Sequence, residues 1–380
     1  MHDLFTKRIG LVKPTLIVDR AKTEEKIRWM LEKASKSKVR FRPHFKTHQS
    51  AEIGDWFRKA GCTAITVSSF DMAAYFAQHG WDNITIALPV NINLMREMSA
   101  LAKRIRLGLL VESVEAVDAL AEELTSEVDI WIKIDHGYHR TGVLSESGDR
   151  ILEIVQAVQA ASNLRIKGIL THSGHTYAAK SRDEIAAVFN DGVQKMKSVQ
   201  AMVEKKTGVR IEISMGDTPG CTVVEDFSEI DEIRPGCFVF YDMMHADQGV
   251  CDEDQVSIAL AAPILAKHEE RNEIIVHGGA VHLSKDALSL PGGGVSFGAV
   301  ALPEKSGWSK SIEGTRVASI SQEHGIIRTK NEAFFSQAKI GDFLMMLPVH
   351  SCLTANLMGR YMTITGERLG SAVEKNVPDF

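Results

Sequence analysis

Short apolar runs rich in β-branched residues recur along the greater part of the chain, at positions 39–41, 63–67, 84–88, 105–111, 130–134, 166–170, 210–214 and 233–240. The segments between them repeat apolar residues every three or four positions. Val114, Val117, Leu120 and Ala121 form one such face, and Ile151, Ile154, Val155 and Val158 another, which is the spacing of an amphipathic helix. Eight strands alternating with helices predict an α/β chain whose main body is a (β/α)8 TIM-type barrel. An open, doubly wound sheet would alternate in the same way, but no glycine-rich dinucleotide fingerprint follows the first run. After about Cys251 the rhythm changes to short runs without long helices, at 256–261, 273–276, 316–319 and 343–347, punctuated by Pro291-Gly292-Gly293-Gly294. That change predicts a second, mostly β C-terminal domain. The expected division is a barrel over 14–250 and a β-rich domain over 251–380, with residues 1–13 joining one or the other.

Composition narrows the function without naming it. The 380 residues are 44% hydrophobic and 24% charged with a formal net charge of -5, ordinary values for a globular protein. No basic stripe or aromatic platform points to nucleic acid, and the Lys33 to Arg42 cluster reads as solvated helix ends. No apolar stretch is long enough to span a membrane, and the opening residues lack a secretory signal's apolar region, so a cytoplasmic location is expected. The five cysteines are odd in number and show no zinc-ribbon or thioredoxin spacing, which suits a reducing compartment. Cys62, Cys221 and Cys251 read as packing residues.

The candidate chemistry follows the predicted strands. In Arg42-Pro43-His44-Phe45-Lys46-Thr47-His48, Pro43 stops the first strand and leaves Lys46 on a turn between two imidazoles. Nearby cations favour a neutral amine, the form that attacks a carbonyl carbon, so Lys46 could hold an aldehyde cofactor covalently. A basic surface loop is the other reading. Gly216 and Thr218 after the seventh run, with Gly236 and Cys237 near the eighth, supply backbone amides and a hydroxyl where barrels commonly cradle phosphate. Arg140 could face a cofactor ring oxygen or pair with Asp135. Near the C-terminus, His350 and Cys352 lie two apart, and in an extended segment both side chains would point to one side and converge on a metal. Imidazole with thiolate favours zinc over magnesium or calcium.

Taken in order, further motifs accompany these: Ile134-Asp135-His136-Gly137-Tyr138-His139-Arg140-Thr141-Gly142-Val143, Thr171-His172-Ser173-Gly174-His175-Thr176-Tyr177, Gly216-Asp217-Thr218-Pro219, Arg234-Pro235-Gly236-Cys237-Phe238-Val239-Phe240-Tyr241-Asp242, Gln322-Glu323-His324-Gly325 and Pro348-Val349-His350-Ser351-Cys352. With them the chain resembles the fold-type III pyridoxal-phosphate enzymes, which include alanine racemases, and within them the D-serine dehydratase and D-threonine aldolase branch. The resemblance implies that Lys46 carries pyridoxal 5'-phosphate, that Gly216, Thr218, Gly236 and Cys237 hold its phosphate, and that Arg140, His172 and Tyr177 lie beside its ring. It implies a divalent metal on His350 and Cys352, with zinc ahead of manganese or magnesium, a role for His324 in binding substrate or assisting at its β-hydroxyl, and a homodimer.

The function so implied is a lyase acting on β-hydroxy D-amino acids, with dehydration to a keto acid and ammonia placed ahead of aldol cleavage to glycine and an aldehyde. His-x-Cys, where the aldolases tend to carry His-x-Asp, tilts toward dehydration. An amino-acid racemase has no use for a metal at a β-hydroxyl, and the small non-catalytic cofactor carriers of this fold lack a second β domain. Two departures stand out. His277-Gly278-Gly279, with a further His282, occupies a position where relatives often read Asp-Ala-Gly, and Cys237-Phe238 stands where they often place a tyrosine.

Overall fold

The computed structural model describes residues 5–373. Its recurring apolar runs form eight parallel strands: Arg40–Phe41, Ile65–Val67, Asn83–Pro89, Arg106–Val111, Val128–Asp135, Leu164–Leu170, Glu212–Met215 and Glu232–Ile233. From Ile65–Val67 onward each hydrogen-bonds to the next, and Glu232–Ile233 returns to Arg40–Phe41. The ring closes where the chain after Phe41 bridges the second strand: Phe45 N–H donates to Thr66 O at 2.8 Å and Thr66 N–H to Pro43 O at 2.9 Å. The strands are continuous hydrophobic runs because a parallel strand is covered on both faces. Val128–Asp135 is buried at every position, and the following helix Gly148–Ala160 buries Ile151, Ile154, Val155 and Val158.

The chain divides into two units, and their membership differs from the expected boundaries. The barrel unit is Arg28–Lys46 with Phe57–Gly236, and the other comprises the chain up to Ile27, Thr47–Trp56 and Cys237 onward. The early segment joins the β-rich unit because its strand Thr15–Val18 pairs antiparallel with Ile258–His268, Leu16 opposite Leu260. Within that unit, Glu273–His277, His324–Thr329, Thr315–Ile320, Gly298–Ala301, Phe343–Pro348 and Ile258–His268 pair in sequence and return to the first, a closed antiparallel barrel. Its interior is Leu260, Ile264, Val276, Val317, Ile327, Leu344 and Met346. The eighth barrel run is also shorter than its apolar stretch predicts. Pro235 has no N–H for a ladder, and the chain leaves the sheet for a 3-10 turn at Cys237–Val239.

The cluster from Lys33 to Arg42 is a solvated helix end only in part, with Lys36, Lys38 and Arg40 exposed. Lys33 and Arg42 are buried. Lys33 Nζ donates to Thr222 O at 2.9 Å, and Arg42 Nε donates to Glu232 Oε2 at 2.7 Å. The other oxygen of Glu232 accepts from Ser214 Oγ at 2.6 Å, while Arg234 donates to Ser214 Oγ and to Thr171 O. Burial alone would raise the Glu232 carboxyl, but Arg42 and Arg40 outweigh it and hold the group down at about 2. A depressed carboxyl stabilises the fold fully above its unfolded value near 4.5, and that contribution is lost as pH falls from about 4.5 toward 2. Glu232→Gln leaves buried guanidinium groups without their counter-charge, so chemical denaturation should show a loss of about 3–5 kcal/mol at neutral pH. The variant should also lose the part of the acid-side stability decline that Glu232 causes; an unchanged acid limb would remove this pair from the account of stability.

Candidate active site

In the barrel unit the predicted residues converge at the carboxyl ends of the strands. Lys46 is exposed, two residues past the bridge at His44, and its backbone N–H makes a long hydrogen bond to His44 Nδ1 at 3.4 Å. That bond leaves the His44 proton on Nε2, which faces Ser68 Oγ at 3.5 Å. His44 is driven well below its ordinary value by burial and then by Lys46, Arg234, His172 and Arg140. Burial does the same to His172, followed by Lys46 and Arg140. Lys46, His44, Arg140, His172 and Arg234 are therefore electrostatic neighbours, and both imidazoles are neutral. His48 is not part of this group. It lies in the other unit, where its Nδ1 accepts the Ser50 N–H at 3.1 Å and burial lowers it to about 3.

His172 Nδ1 faces Gly216 O at 3.3 Å, which makes Nδ1 the donor and leaves Nε2 as an acceptor. Tyr177 Oη accepts the Thr218 N–H at 3.4 Å, and its ring centre lies 6.3 Å from that of His172. The helix Thr218–Val223 is capped by Asp217, which accepts from Gly220 N–H and Thr176 Oγ1, both at 2.7 Å. Gly216 has φ +141°, and a Cβ there would lie 2.8 Å from the Arg234 nitrogen, so the position needs glycine. The backbone N–H groups of Gly216 and Gly236 make no hydrogen bond among the described residues. Arg140 does not pair with Asp135. Its guanidinium lies over Tyr138 at 5.1 Å, while Asp135 Oδ1 accepts the N–H groups of Gly137, Tyr138 and His139.

An exposed primary amine, unpaired backbone donors beside a strained glycine, and a set of cations facing neutral imidazoles fit an aldehyde cofactor that carries a phosphate. Two contributors escaped the sequence reading. Arg234 was visible only as one letter of a motif, although its companion Glu232 on the same strand pointed to a buried pair. Lys133, buried and lowered to about 8 first by desolvation and then by Arg234, sits at an alternate position of a strand whose neighbours are apolar.

In the other unit, His350 and Cys352 do meet, by a different route from the one expected. The strand Phe343–Pro348 ends, His350 stands in extended conformation as the cap, and Cys352 begins the helix Ser351–Met358. Their side chains hydrogen-bond to each other because the chain turns between them, not because it runs straight. His350 Nδ1 donates to Asp286 Oδ2 at 2.6 Å, which turns its other nitrogen to a ligand's role. Although burial works against it, the bonds with Cys352 and Asp286 raise His350 to about 9. A histidine oriented by a carboxylate beside a cysteine sulfur fits a divalent metal of the zinc class. The Cys237 thiol lies with this group, 3.5 Å from Cys352 Sγ, whereas the part expected of Cys237 at the phosphate was for its backbone amide. Cys62 and Cys251 are buried and pushed up to about 12, and Cys221 is raised further, as packing residues.

His324 opens the strand His324–Thr329 and is exposed, and its imidazole makes no hydrogen bond or ion pair among the described residues. The unusual histidines lie near it. His277 Nε2 is 3.1 Å and His282 Nε2 3.8 Å from Glu323 Oε2. His282 Nδ1 accepts the Gly279 N–H at 3.2 Å, so Nε2 carries the proton and faces the carboxylate as a donor. One ligand atom from each of His277, His282 and Glu323 lies close enough to the others to share an ion, and in this structure both imidazoles face the carboxylate.

Comparison with known proteins agrees with this geometry. Residues 18–243 match the family described as "Alanine racemase, N-terminal domain", and residues 257–364 one described as "Putative serine dehydratase domain". A D-serine dehydratase of Dictyostelium discoideum is 27% identical over 89% of this chain and 89% of its own. The D-threo-3-hydroxyaspartate dehydratase of Delftia sp. is 26% identical over 94% of this chain and 96% of its own. The solved structure of that dehydratase superposes with a TM-score of 0.87 at 24% identity, covering 97% of this chain and 99% of the other, and shares the fold. No helix among the described residues is long and apolar enough to cross a membrane. The chain belongs to the alanine racemase-like, fold-type III pyridoxal-phosphate enzymes, in the branch that holds the D-serine dehydratases and D-threonine aldolases.

Proposed function

We propose that this protein is a pyridoxal-phosphate- and metal-dependent lyase that eliminates water from β-hydroxy D-amino acids of the D-serine type, the released enamine taking up water again to give a keto acid and ammonia. The observation that carries this reading is the His350–Cys352 pair, held by Asp286 in one unit of a chain whose other unit presents Lys46 among neutral imidazoles and cations. The two dehydratases named above match the chain over most of its length.

Lys46 is the residue that would hold the cofactor, with Gly216, Gly236 and Thr218 at its phosphate and His172, Tyr177 and Arg140 about its ring. Pyridoxal phosphate, when bound, supplies the electron sink for a bond broken at Cα. A divalent metal on His350 and Cys352, when bound, supplies a Lewis acid for the β-hydroxyl. The Lys46 amine is the base for the Cα proton. His44 and His172 stay neutral down to acidic pH, so they orient by hydrogen bonds without adding charge that would compete with Lys46. His172 offers Nε2 as an acceptor because Nδ1 is engaged by Gly216. Asp286 holds His350 in one tautomer. The family also leads us to propose a homodimer, which light scattering of the purified protein tests directly.

The test is a product assay on metal-replete protein with D-serine, D-threonine and 3-hydroxy-D-aspartate. Keto acid and ammonia should form in equal amounts, with loss on chelation and recovery with zinc. Glycine with an aldehyde would replace dehydration by aldol cleavage, and neither product would sink the lyase reading. Lys46→Ala should lower turnover by about 100-fold or more. Borohydride reduction of the wild-type protein should add the cofactor's mass to the peptide containing Lys46, and the variant should show no such adduct.

A further inference from the structure

We propose that Cys237 is a third protein ligand to the metal, giving a Cys2His site of Cys237, His350 and Cys352 with an open position. The inference rests on the metal reading above and extends it to a residue expected, from sequence, to serve the cofactor.

Geometry carries it. Cys237 is buried, and its Sγ lies 3.5 Å from Cys352 Sγ. Two thiolates each about 2.3 Å from one tetrahedral zinc ion stand about 3.8 Å apart, so the sulfurs need to separate by only a few tenths of an ångström to share an ion. A disulfide would need them at about 2.05 Å, a much larger movement. The imidazole of His350 already bonds to Cys352 and is oriented by Asp286. Cys352 therefore sits between the other two donors, and an ion bound to it has to draw the Cys237 sulfur and the His350 imidazole together.

A single buried carboxylate holds the two chain segments in this relation. Asp242 Oδ2 accepts the Ser351 N–H at 2.9 Å and its hydroxyl at 3.2 Å, and Ser351 is the residue between His350 and Cys352. The other oxygen of Asp242 accepts from His245 Nδ1 at 2.5 Å and from the His245 N–H at 3.2 Å, so Asp242 caps the turn that follows Cys237. With both oxygens engaged in this way, Asp242 is a positioning residue and not itself a ligand. Cys237 Sγ has Ser351 Oγ at 3.1 Å and Asp242 Oδ2 at 3.4 Å as its other polar neighbours. One S–H cannot serve Cys352, Ser351 and Asp242 together, and the Ser351 hydroxyl already donates to Asp242, so as a thiol Cys237 has more polar neighbours than it can satisfy. Each thiol gives its proton to solvent as the metal–sulfur bond forms.

Three protein ligands and one open position is the pattern of catalytic zinc sites, and the thiolates select zinc over magnesium or manganese. The proposal is tested on zinc-loaded holoenzyme by zinc-edge X-ray absorption, which counts sulfur neighbours without reference to activity. The wild type should show two sulfurs and Cys237→Ser one, with competition by a chelator showing zinc bound about 100-fold or more weakly in the variant. One sulfur in the wild type would overturn the assignment without any variant, and so would a sulfur count unchanged in Cys237→Ser or, should serine not be tolerated, Cys237→Ala. Zinc retained with a single sulfur leaves the His350–Cys352 site standing. No zinc retained by the wild type would overturn both.

Discussion

The barrel's reactive end depends on one buried carboxylate. Glu232 receives Arg42 from the first strand and Ser214 from the seventh, and Ser214 in turn meets Arg234, whose other nitrogen reaches Thr171 at the end of the sixth. Each of these residues stands a few positions before a site residue: Arg42 before Lys46, Thr171 before His172, Ser214 before Gly216, and Arg234 before Gly236. A charge network that fixes the strand ends thereby fixes the loops that leave them. Apolar packing alone would be less directional, because dispersion contacts tolerate sliding that hydrogen bonds to a carboxylate do not. The cost is that the network is stable only when complete, since each cation left unpaired in the interior is strongly unfavourable.

Asp242 plays the corresponding part in the β-rich unit. Its bonds to Ser351 tie a strand-to-helix turn to the 3-10 turn that begins with Cys237. The chain needs such a tie because the donors come from segments more than 100 residues apart in sequence, with Cys352 and Cys237 separated by 115. Ordering so long a loop is entropically unfavourable, and the strands Ile258–His268 and Phe343–Pro348, paired along Leu260 to Met346, have already met that cost before the turns are positioned.

How legible this was depended on whether a residue's role is local. Strand periodicity and the helix faces at Ile151 and Val117 are local, and they appear in the structure as read. The end of the eighth strand was not, because Ile233 and the apolar 237–240 run look continuous until Pro235 is given its weight. The strand Thr15–Val18 was missed because its partner lies some 240 positions away, and the burial of Lys33 and Arg42 was missed because each is satisfied by groups nearly 190 positions distant. Lys46, Gly216 and His350 were legible as motif members. Their orientation was not: nothing in His-x-Cys says that a helix begins between the two residues.

The charge state of the barrel site follows from the same economy of groups. Two half-buried imidazoles beside Lys46, Arg140 and Arg234 would repel them if protonated, so desolvation and the cations together lower both and favour their neutral forms. The positive field at the strand ends then owes more to Arg140 and Arg234 than to histidine. An anionic phosphate and a carboxylate substrate meet that potential, while the imidazoles remain available as hydrogen-bonding groups of fixed tautomer. Placing histidine rather than a further arginine at positions 44 and 172 thus gives directionality near the reacting atoms without increasing the repulsion that Lys46 must bear.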